Sequence, residues 1–344
     1  MRVLAAMSGG VDSSVAAARL VEAGHEVVGV TMKLWGGESD TGCCSVSDVD
    51  DARRVAQQLG IDHLVFNFGD DFARDVVGPY VAAHAAGSTP NPCIECNRHL
   101  KFDRLTRRAR ALGFDAVATG HHARIAPRPD GAPGLARGAD RAKDQSYVVH
   151  VLVEDGLDRI LFPVGDSTKV GVRAEAARLG LRTAAKPDSQ DVCFISSTGG
   201  RRTFLGDRIP LRAGTVVDTA GRPVGTVPAV ELVTIGQRKG LGLPGGGALR
   251  YVVDVDVAGG VVTVGDAADL LTDRVRVAGW AWSSAGAPTG PVLVQVSAHA
   301  APRAARIDGD DVVFESPARR VAPGQAVVVY DPTDTWVLGG ATVA

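Results

Sequence analysis

A glycine-rich turn near the N-terminus has the composition of an anion-binding loop. It reads S-G-G-V-D-S-S over residues 8–14, between an apolar run that predicts a strand and an amphipathic run that predicts a helix. Two glycines let backbone N–H groups point into the turn, and the start of the helix adds positive partial charge. The turn has Asp12 at its centre and lacks the lysine of a Walker A loop. The pattern predicts a phosphate site in which Asp12 would hold Mg²⁺ or orient a donor, and the alternative is an ordinary glycine turn followed by a serine N-cap.

The cysteines indicate a second kind of chemistry. Cys93 and Cys96 have C-x-x-C spacing in a proline-containing loop, which is typical of half a zinc site, a redox pair or a reactive thiol. The other cysteines are the adjacent Cys43 and Cys44 and the isolated Cys193, so a standard zinc ribbon is disfavoured. A lone cysteine in an apolar segment is by default a small buried hydrophobe. Beside a C-x-x-C pair and a phosphate loop, Cys193 becomes a candidate reactive thiol.

The elements that must position these residues alternate between strand and helix in the first half of the chain. Their pattern predicts a parallel, doubly wound sheet that binds ligands at the carboxyl ends of its strands. The predicted ends lie at Met7, Met32 and Gly120, so the turns after them are expected to surround one pocket. Met32 would line an adenine, with a place in the core as the alternative, and Gly120 would allow close approach of the backbone.

Two polar segments are further candidates for ligand binding. A helix predicted over residues 98–112 has a stripe of lysine and arginine, which would be either a solvated face or a footprint for a phosphate backbone. Lys143, Asp144 and Gln145 begin a further helix and would either contact a nucleic acid or cap that helix. Residues 127–138 are rich in proline and glycine and are predicted to form a loop.

The residue pattern of the chain changes after about residue 203. Short valine-rich runs separated by glycine and proline replace the helical periodicity and predict two small β-rich units, the last a β-barrel. We therefore predict a nucleotide-binding domain over residues 1–202, a central β-rich domain over residues 203–270 and a C-terminal barrel over residues 271–344.

Composition sets the class of protein. The 344 residues are 45% hydrophobic and 22% charged, which predicts a globular chain with an ample core. No apolar run approaches the ~18 residues of a membrane span and no signal peptide precedes the loop, so a cytoplasmic protein without a membrane partner is expected. Five cysteines in a reducing compartment are expected to be reduced, catalytic or metal-bound. A net charge of −2 requires that any nucleic acid be bound by a local basic surface.

Six motifs occur in an order that matches a known pattern. They are S-G-G-V-D-S-S, T-P-N-P-C-I-E-C-N, A-T-G-H-H-A-R, K-D-Q-S-Y, D-V-C-F-I and G-Q-R-K-G-L-G. Together they resemble the tRNA-specific 2-thiouridylase family, and the first resembles the pyrophosphate (PP) loop of ATP pyrophosphatases. The resemblance covers essentially the whole chain and is most specific in the N-terminal motifs. It implies a PP-loop fold of the adenine nucleotide alpha-hydrolase type and a final barrel that contacts tRNA.

The resemblance also implies roles for residues at matching positions. Cys96 would be the nucleophilic cysteine, and Cys193 would carry sulfur as a persulfide. The implied ATP contacts are Ala6, Met7, Ser8, Gly9, Gly10, Val11, Asp12, Ser13, Met32 and Gly120. The implied tRNA contacts are Asn91, Pro92 and Cys93 at the target base, and His121, Lys143, Asp144, Gln145, His299 and Gln325 elsewhere.

The implied reaction replaces the oxygen at C2 of the wobble uridine of tRNA by sulfur. Mg²⁺-ATP would adenylate that oxygen and release pyrophosphate, and sulfur from Cys193 would then attack C2 and displace AMP. Cys96 would resolve the persulfide, either by releasing hydrosulfide or by forming a disulfide with Cys193. The implied partners are the anticodon loop of tRNA and a sulfur donor, either a cysteine desulfurase or a sulfur-relay carrier.

Two departures from the family pattern bear on rival interpretations. Some members have an aspartate with a general-base role where this chain has Cys93, so another group or water would serve as the base. An Arg/Tyr-rich strand of some members appears here as residues 296–300, which leaves His299 as the matching contact. Cys93, Cys96 and Cys193 could instead hold an iron–sulfur cluster with one open iron. A PP-loop ligase or amidotransferase would explain the loop but neither cysteine motif, and a non-catalytic tRNA-binding module would leave the loop unexplained.

Overall fold

The computed structural model describes residues 1–35, 46–154, 156–188, 192–196, 199–244 and 248–344. The adjacent Cys43 and Cys44 therefore lie outside the described residues. The first seven strands are β1 (Arg2–Ala6), β2 (Glu26–Lys33), β3 (Asp62–Asn67), β4 (Ala116–Ala118), β5 (Ala123–Pro127), β6 (Pro133–Arg137) and β7 (Ile160–Leu161). Five of them form a parallel sheet in the order β3-β2-β1-β4-β7.

Helices cover both faces of this sheet. They are α1 (Val11–Glu22), α2 (Val46–Leu59), α3 (Gly69–Phe72, Ala73–Val77 and Gly78–Ala85), α4 (Pro92–Glu95, Cys96–Arg104 and Leu105–Ala111), α5 (Ser146–Val149), α6 (Lys169–Arg178), α7 (Cys193–Ser196) and α8 (Arg201–Gly206). The middle sections of α3 and α4 are π-helical. Leu4 of β1 enters one hydrophobic core, whereas Val3 and Ala5 enter another, because successive side chains of a strand point to opposite faces. This two-sided packing confirms the predicted doubly wound fold. None of the helices in the described ranges combines the length and the apolar character needed to cross a bilayer.

The prediction of a loop over residues 127–138 is wrong for half of that segment, since Pro127 and residues 133–137 lie in strands. β5 and β6 form an antiparallel hairpin in which Pro127 pairs with Pro133 beside the turn. At the end of a two-stranded ladder, the missing N–H groups of the prolines leave the remaining hydrogen bonds intact. Proline and glycine content therefore marked the turn correctly but concealed the strands on either side of it.

The remainder of the described chain is mostly β-structure. β8 (Gly214–Asp218), β9 (Pro223–Val227), β10 (Tyr251–Asp256) and β11 (Val261–Gly265) form a sheet in the order β10-β11-β8-β9. β12 (Leu271–Trp282), β13 (Val292–Gln295), β14 (Arg303–Asp308), β15 (Asp311–Arg319), β16 (Ala326–Tyr330) and β17 (Val337–Val343) close a barrel in the order β12-β15-β14-β13-β16-β17. The predicted β-rich unit and final barrel are thus confirmed. The boundary predicted at residue 202 falls within α8.

Candidate nucleotide and sulfur-transfer site

The predicted phosphate loop connects β1 to α1. Gly9 has a φ of +71°, in the left-handed region that favours glycine, and a Cβ there would lie 2.3 Å from the backbone oxygen of Asp48. Gly10 is the N-cap of α1 and supplies no side chain to cap it. The Ser8 N–H donates to Ser13 Oγ at 3.2 Å, which closes the turn. The N-terminus of α1 therefore presents backbone N–H groups and a positive dipole end at the turn, as phosphate binding requires.

Asp12, in the first turn of α1, contacts two residues from distant parts of the chain. Lys169 Nζ donates to the two carboxylate oxygens at 2.8 and 2.6 Å, and His122 Nε2 lies 3.1 Å from Oδ1. Burial raises the pKa of Asp12, but the hydrogen bonds from His122 and Lys169 outweigh burial and hold this pKa below its ordinary value. The carboxylate is therefore ionised at neutral pH, which is the state that would bind Mg²⁺.

The sequence analysis did not single out Lys169 or His122. A signal for Lys169 is nevertheless present, because it is the first residue of α6, where a positive charge opposes the helix dipole. Such an unfavourable placement is compensated here by the Asp12 carboxylate. His122 stands in the A-T-G-H-H-A-R motif, but nothing in the sequence distinguishes it from His121 as the partner of the loop.

The ends of β1, β2 and β4 lie at one edge of the sheet, because these three strands are adjacent and parallel. Residues 6–13, Met32 and Gly120 are therefore placed along that edge. A Cβ on Gly120 would lie 2.6 Å from the Ser13 nitrogen, so the turn after β4 packs against the phosphate loop only with glycine at this position. Met32 is buried in the larger hydrophobic core, which leaves both an adenine contact and a core role open.

The cysteines of the C-x-x-C motif lie at the start of α4. Asn91 is the N-cap, and its Oδ1 accepts a hydrogen bond from the Cys93 N–H at 3.0 Å. Pro92 is buried in the first turn and Cys93 is exposed, whereas Cys96 is buried where the π-helical section begins. Irregular helix of this kind often occurs at functional sites.

Cys193 begins α7 and is half-buried. It packs against the same hydrophobic core that contains Cys96 and Met32. The two candidate reactive thiols and the candidate adenine contact, which are far apart in sequence, therefore adjoin one core.

In the described parts of the chain, no three His, Cys, Asp or Glu side chains form a group that could hold a metal ion. Cys93, Cys96 and Cys193 all belong to those parts, so they are not arranged as a ready set of three ligands. The iron–sulfur interpretation stays a prediction. The Asp12 carboxylate beside the phosphate loop fits a single protein contact to a nucleotide-bound Mg²⁺.

Comparison with known proteins identifies the family. The model of the tRNA methyl transferase HUP domain matches residues 1–197, that of the tRNA methyl transferase PRC-barrel domain residues 202–266, and that of the aminomethyltransferase beta-barrel domain residues 272–343. The chain is 50% identical over 359 residues to the tRNA-specific 2-thiouridylase MnmA of Mycolicibacterium gilvum (strain PYR-GCK), covering 100% of this chain and 99% of that protein. The chain belongs to the tRNA-specific 2-thiouridylase family.

Two further similarities are of different strength. The tRNA-specific 2-thiouridylase MnmA of Mycobacterium ulcerans (strain Agy99) is 50% identical over 363 residues, covering 100% of this chain and 97% of that protein. Among solved structures, a 4-thiouridine synthetase–RNA complex with bound ATP is 19% identical, covers 59% of this chain and 46% of that one, and has a TM-score of 0.38.

In this 2-thiouridylase family member, the predicted RNA contacts in the nucleotide-binding half differ in exposure. Lys143 is exposed, whereas His121 is buried with its Nδ1 2.7 Å from Thr119 Oγ1. Burial, together with the charge of Lys101, lowers the pKa of His121 well below its ordinary value, so this ring is neutral. Gln145 Oε1 accepts a hydrogen bond from the His122 N–H at 2.8 Å, which ties Gln145 to the turn beside Asp12.

Asp144 points away from solvent. Its carboxylate is 2.8 Å from Arg137 Nη1, and each of the two side chains is only 6% exposed. Arg137 also donates to Asp334 Oδ1 at 2.7 Å and lies over the Tyr330 ring, 3.6 Å from its centroid. Asp144 therefore holds its segment against the barrel in this family member. The role of Arg137 escaped the sequence analysis because the residue falls in the segment predicted to be a loop.

The two residues of the barrel predicted to contact tRNA, His299 and Gln325, lie in different surroundings. His299 is exposed in the turn after β13, and Gln295 Nε2 donates to the Ser297 carbonyl oxygen of that turn at 2.9 Å. Gln325 Nε2 donates to the Thr89 carbonyl oxygen in the loop that precedes Asn91. Gln325 thus joins the barrel to the cysteine loop, whereas His299 is open to a ligand.

Proposed function

We propose that this protein uses ATP to transfer sulfur to C2 of the uridine at the wobble position of tRNA. Its membership of the tRNA-specific 2-thiouridylase family supports a tRNA sulfurtransferase with an ATP-utilising PP-loop domain. The observation that carries the proposal is the placement of Asp12 and the phosphate loop at one edge of a sheet, while Cys96 and Cys193 adjoin the hydrophobic core on one face of that sheet.

In the first step, the α1 N–H groups bind the ATP phosphates. Mg²⁺, when bound, would be held by Asp12 and would screen the negative charge of the phosphates. Lys169, beside Asp12, adds a fixed positive charge at the same position. The uridine O2 attacks the α-phosphate, a new P–O bond forms, and pyrophosphate leaves. This step converts O2 into a good leaving group.

In the second step, a persulfide on Cys193 supplies sulfur. Either its terminal sulfur attacks C2, or Cys96 attacks the persulfide and releases hydrosulfide that attacks C2. In both routes AMP leaves with the former O2, the sulfur–sulfur bond of the persulfide breaks, and Cys96 and Cys193 end as a disulfide. A dithiol reductant then returns the two thiols. Cys193 is reloaded by a donor, which we propose is a cysteine desulfurase or a sulfur-relay carrier.

We propose that the anticodon loop of tRNA lies across the exposed Lys143 and His299 and inserts its uridine near Cys93. Asp144 and His121 would then support this surface from within, since both side chains are buried. Unstacking a base in a single-stranded loop costs little, which makes insertion feasible. In this arrangement residues 1–202 bind ATP, residues 203–270 form a central β-rich domain and residues 271–344 contact tRNA. The cytoplasmic location stays a prediction.

Anaerobic incubation with unmodified tRNA, Mg²⁺-ATP, a cysteine desulfurase and labelled cysteine tests the proposal. Mass spectrometry of the digested tRNA should detect 2-thiouridine only when ATP is present. Cys193→Ser and Cys96→Ser should abolish thiolation while ATP still binds. Cys93→Ser is the matched comparison, since it should retain sulfur transfer here but lose it if all three cysteines hold a required cluster. Thiolation by Cys193→Ser would refute the persulfide role, and ATP cleavage without any thiolated nucleoside would refute the proposed substrate.

A further inference from the structure

The loop before the C-x-x-C motif is bonded to a turn of the barrel, residues 323–325. The Thr89 N–H donates to the Pro323 carbonyl oxygen at 2.7 Å, and Gln325 Nε2 donates to the Thr89 carbonyl oxygen. Both polar backbone groups of Thr89 are therefore satisfied by the barrel. Gly324 has a φ of +86°, and a Cβ there would lie 3.2 Å from the Thr89 nitrogen, so the two segments touch closely.

The chain from Thr89 to the cysteines has little conformational freedom. Proline stands at two of the three positions between Thr89 and Cys93 and fixes φ at each of them. Asn91, between the prolines, is the N-cap of α4 and accepts a hydrogen bond from the Cys93 N–H at 3.0 Å. Cys96 follows three residues later in the same helix. A displacement of Thr89 is therefore passed on to the start of α4, where both cysteines lie.

A second set of contacts begins on the other side of Cys96. The next residue, Asn97, is buried, and its Nδ2 donates to the Val148 carbonyl oxygen of α5 at 2.8 Å. Tyr147, which precedes Val148, is also buried and donates its hydroxyl to the Ala326 carbonyl oxygen at 2.8 Å. Ala326 is the first residue of β16 and directly follows the barrel turn described above. Both sides of Cys96 are therefore linked to one short segment of the barrel.

We propose that residues 323–326 of the barrel position the Cys96 thiol for sulfur transfer, with Gln325 as a positioning residue. The inference rests on the proposed function, because it takes Cys96 as the thiol that reacts with the persulfide. Reacting atoms must be held about 3–3.5 Å apart and aligned, so the direction of the start of α4 affects the rate of the reaction. The barrel then contributes to the chemical step as well as to the binding of tRNA. Gln325 acts through Thr89 in this arrangement, without contact to RNA.

Gln325→Glu tests the first set of contacts in the full, reduced chain. The new side chain has nearly the same size, but an ionised carboxylate cannot donate to the Thr89 carbonyl oxygen. Because the start of α4 is then held less tightly, iodoacetamide should alkylate the buried Cys96 about two- to tenfold faster, the factor that one hydrogen bond supplies. Mass spectrometry measures this rate, with fragment ions that separate Cys96 from Cys93.

The same variant separates positioning from RNA binding. Its single-turnover rate of tRNA thiolation, measured with the persulfide-loaded chain, should fall by about two- to tenfold. Its Kd values for tRNA, from fluorescence anisotropy, and for ATP, from calorimetry, should stay within about twofold of the wild type. Weaker tRNA binding with an unchanged alkylation rate of Cys96 would make Gln325 an RNA contact and overturn the proposal.

Gln58→Glu is the matched control. Gln58 Nε2 also donates to a backbone carbonyl oxygen, that of Leu179 at 2.9 Å, but it lies on α2, so this variant should behave as the wild type. Tyr147→Phe removes the hydroxyl of the second set of contacts and should act in the same direction as Gln325→Glu, so it decides if Gln325→Glu does not fold.

Two further results overturn the proposal. One is a Cys96 alkylation rate that neither Gln325→Glu nor Tyr147→Phe raises, and the other is faster alkylation without slower thiolation. Absence of any thiolated nucleoside with the wild type would instead refute the proposed function. The alkylation rates would then still decide whether the barrel positions Cys96.

Discussion

Replacing Arg137 by methionine tests how a buried cation fixes the barrel to the nucleotide-binding domain. Methionine keeps much of the apolar volume but leaves the Asp144 carboxylate, only 6% exposed, without its cation. Loss of one partner of a buried pair typically costs about 3–5 kcal/mol. Asp144 still accepts hydrogen bonds from the Gly138 N–H at 2.7 Å and from Ser146 Oγ at 2.7 Å. We therefore expect the lower end, a loss of about 3 kcal/mol in the free energy of unfolding of the barrel and its contacts.

Guanidinium unfolding followed by tryptophan fluorescence measures this loss. Three of the four tryptophans, Trp280, Trp282 and Trp336, belong to the barrel or its final turn, so the signal reports mainly on this part of the chain. With a denaturant slope of about 3 kcal/mol/M, the midpoint should fall by about 1 M. Arg141→Met is the matched control, because Arg141 also contacts Asp334 but is 53% exposed. Its cost should stay below about 1 kcal/mol.

The double variant Arg137→Met/Asp144→Asn separates charge from packing. If the cost comes from an unpaired buried carboxylate, removing that charge should recover part of the lost stability. An Arg137→Met midpoint no lower than that of Arg141→Met would refute the reasoning outright. A large loss that the second substitution does not relieve would instead assign the cost to the other contacts of Arg137, with Asp334, Gln295 and the Tyr330 ring.

Two further predictions concern the glycine at the loop and the buried histidines. Gly120→Ala should weaken ATP binding by about tenfold or more in calorimetry, because its Cβ would lie 2.6 Å from the Ser13 nitrogen and overpacking costs about 1–3 kcal/mol. Gly290→Ala, with open space around its Cβ, is the control and should bind ATP normally, and equal affinities would contradict the packing argument. Burial lowers the pKa of His84 and of His150 to about 4. In the unfolded chain these two side chains take up protons near pH 6.5, whereas in the folded chain they do so only near pH 4. Stability should therefore fall as pH drops from 7 towards 4, by up to about 2.7 kcal/mol per pH unit for the two groups together, and a flat dependence of the denaturant midpoint on pH would contradict this.

The features that could be predicted from sequence are those encoded by neighbouring residues. The apolar run of β1, the Gly9–Gly10 turn and the amphipathic α1 are each local, and together they placed the phosphate loop correctly at a sheet edge. The hairpin of β5 and β6 was missed because its prolines resemble those of a loop. The local sequence pattern predicts the structure of such a segment correctly only when the strand pairing in the folded chain agrees with it.

The charged contacts of the site could not be predicted, for a different reason. Lys169 is 157 residues from Asp12, and Arg137 is 197 residues from Asp334. No periodicity relates residues at such separations, and only the sheet order and the docking of the barrel bring them together. The strand-to-helix turn that holds Asp12 was predictable from residue types, whereas the partners that keep Asp12 ionised depend on topology.

The K-D-Q motif shows why residues at predicted RNA contacts need separate physical roles. Its three consecutive side chains point to three different parts of the molecule. Lys143 reaches the carboxylate that precedes the Cys193 segment, Asp144 reaches Arg137 against the barrel, and Gln145 holds His122 beside the phosphate loop. RNA that displaced Lys143 would break its hydrogen bond to Asp188, whereas the buried pair of Asp144 and Arg137 would keep the motif attached to the barrel. The exposed Lys143 is thus the member of the motif that a ligand can reach, and Asp144 supports it from within.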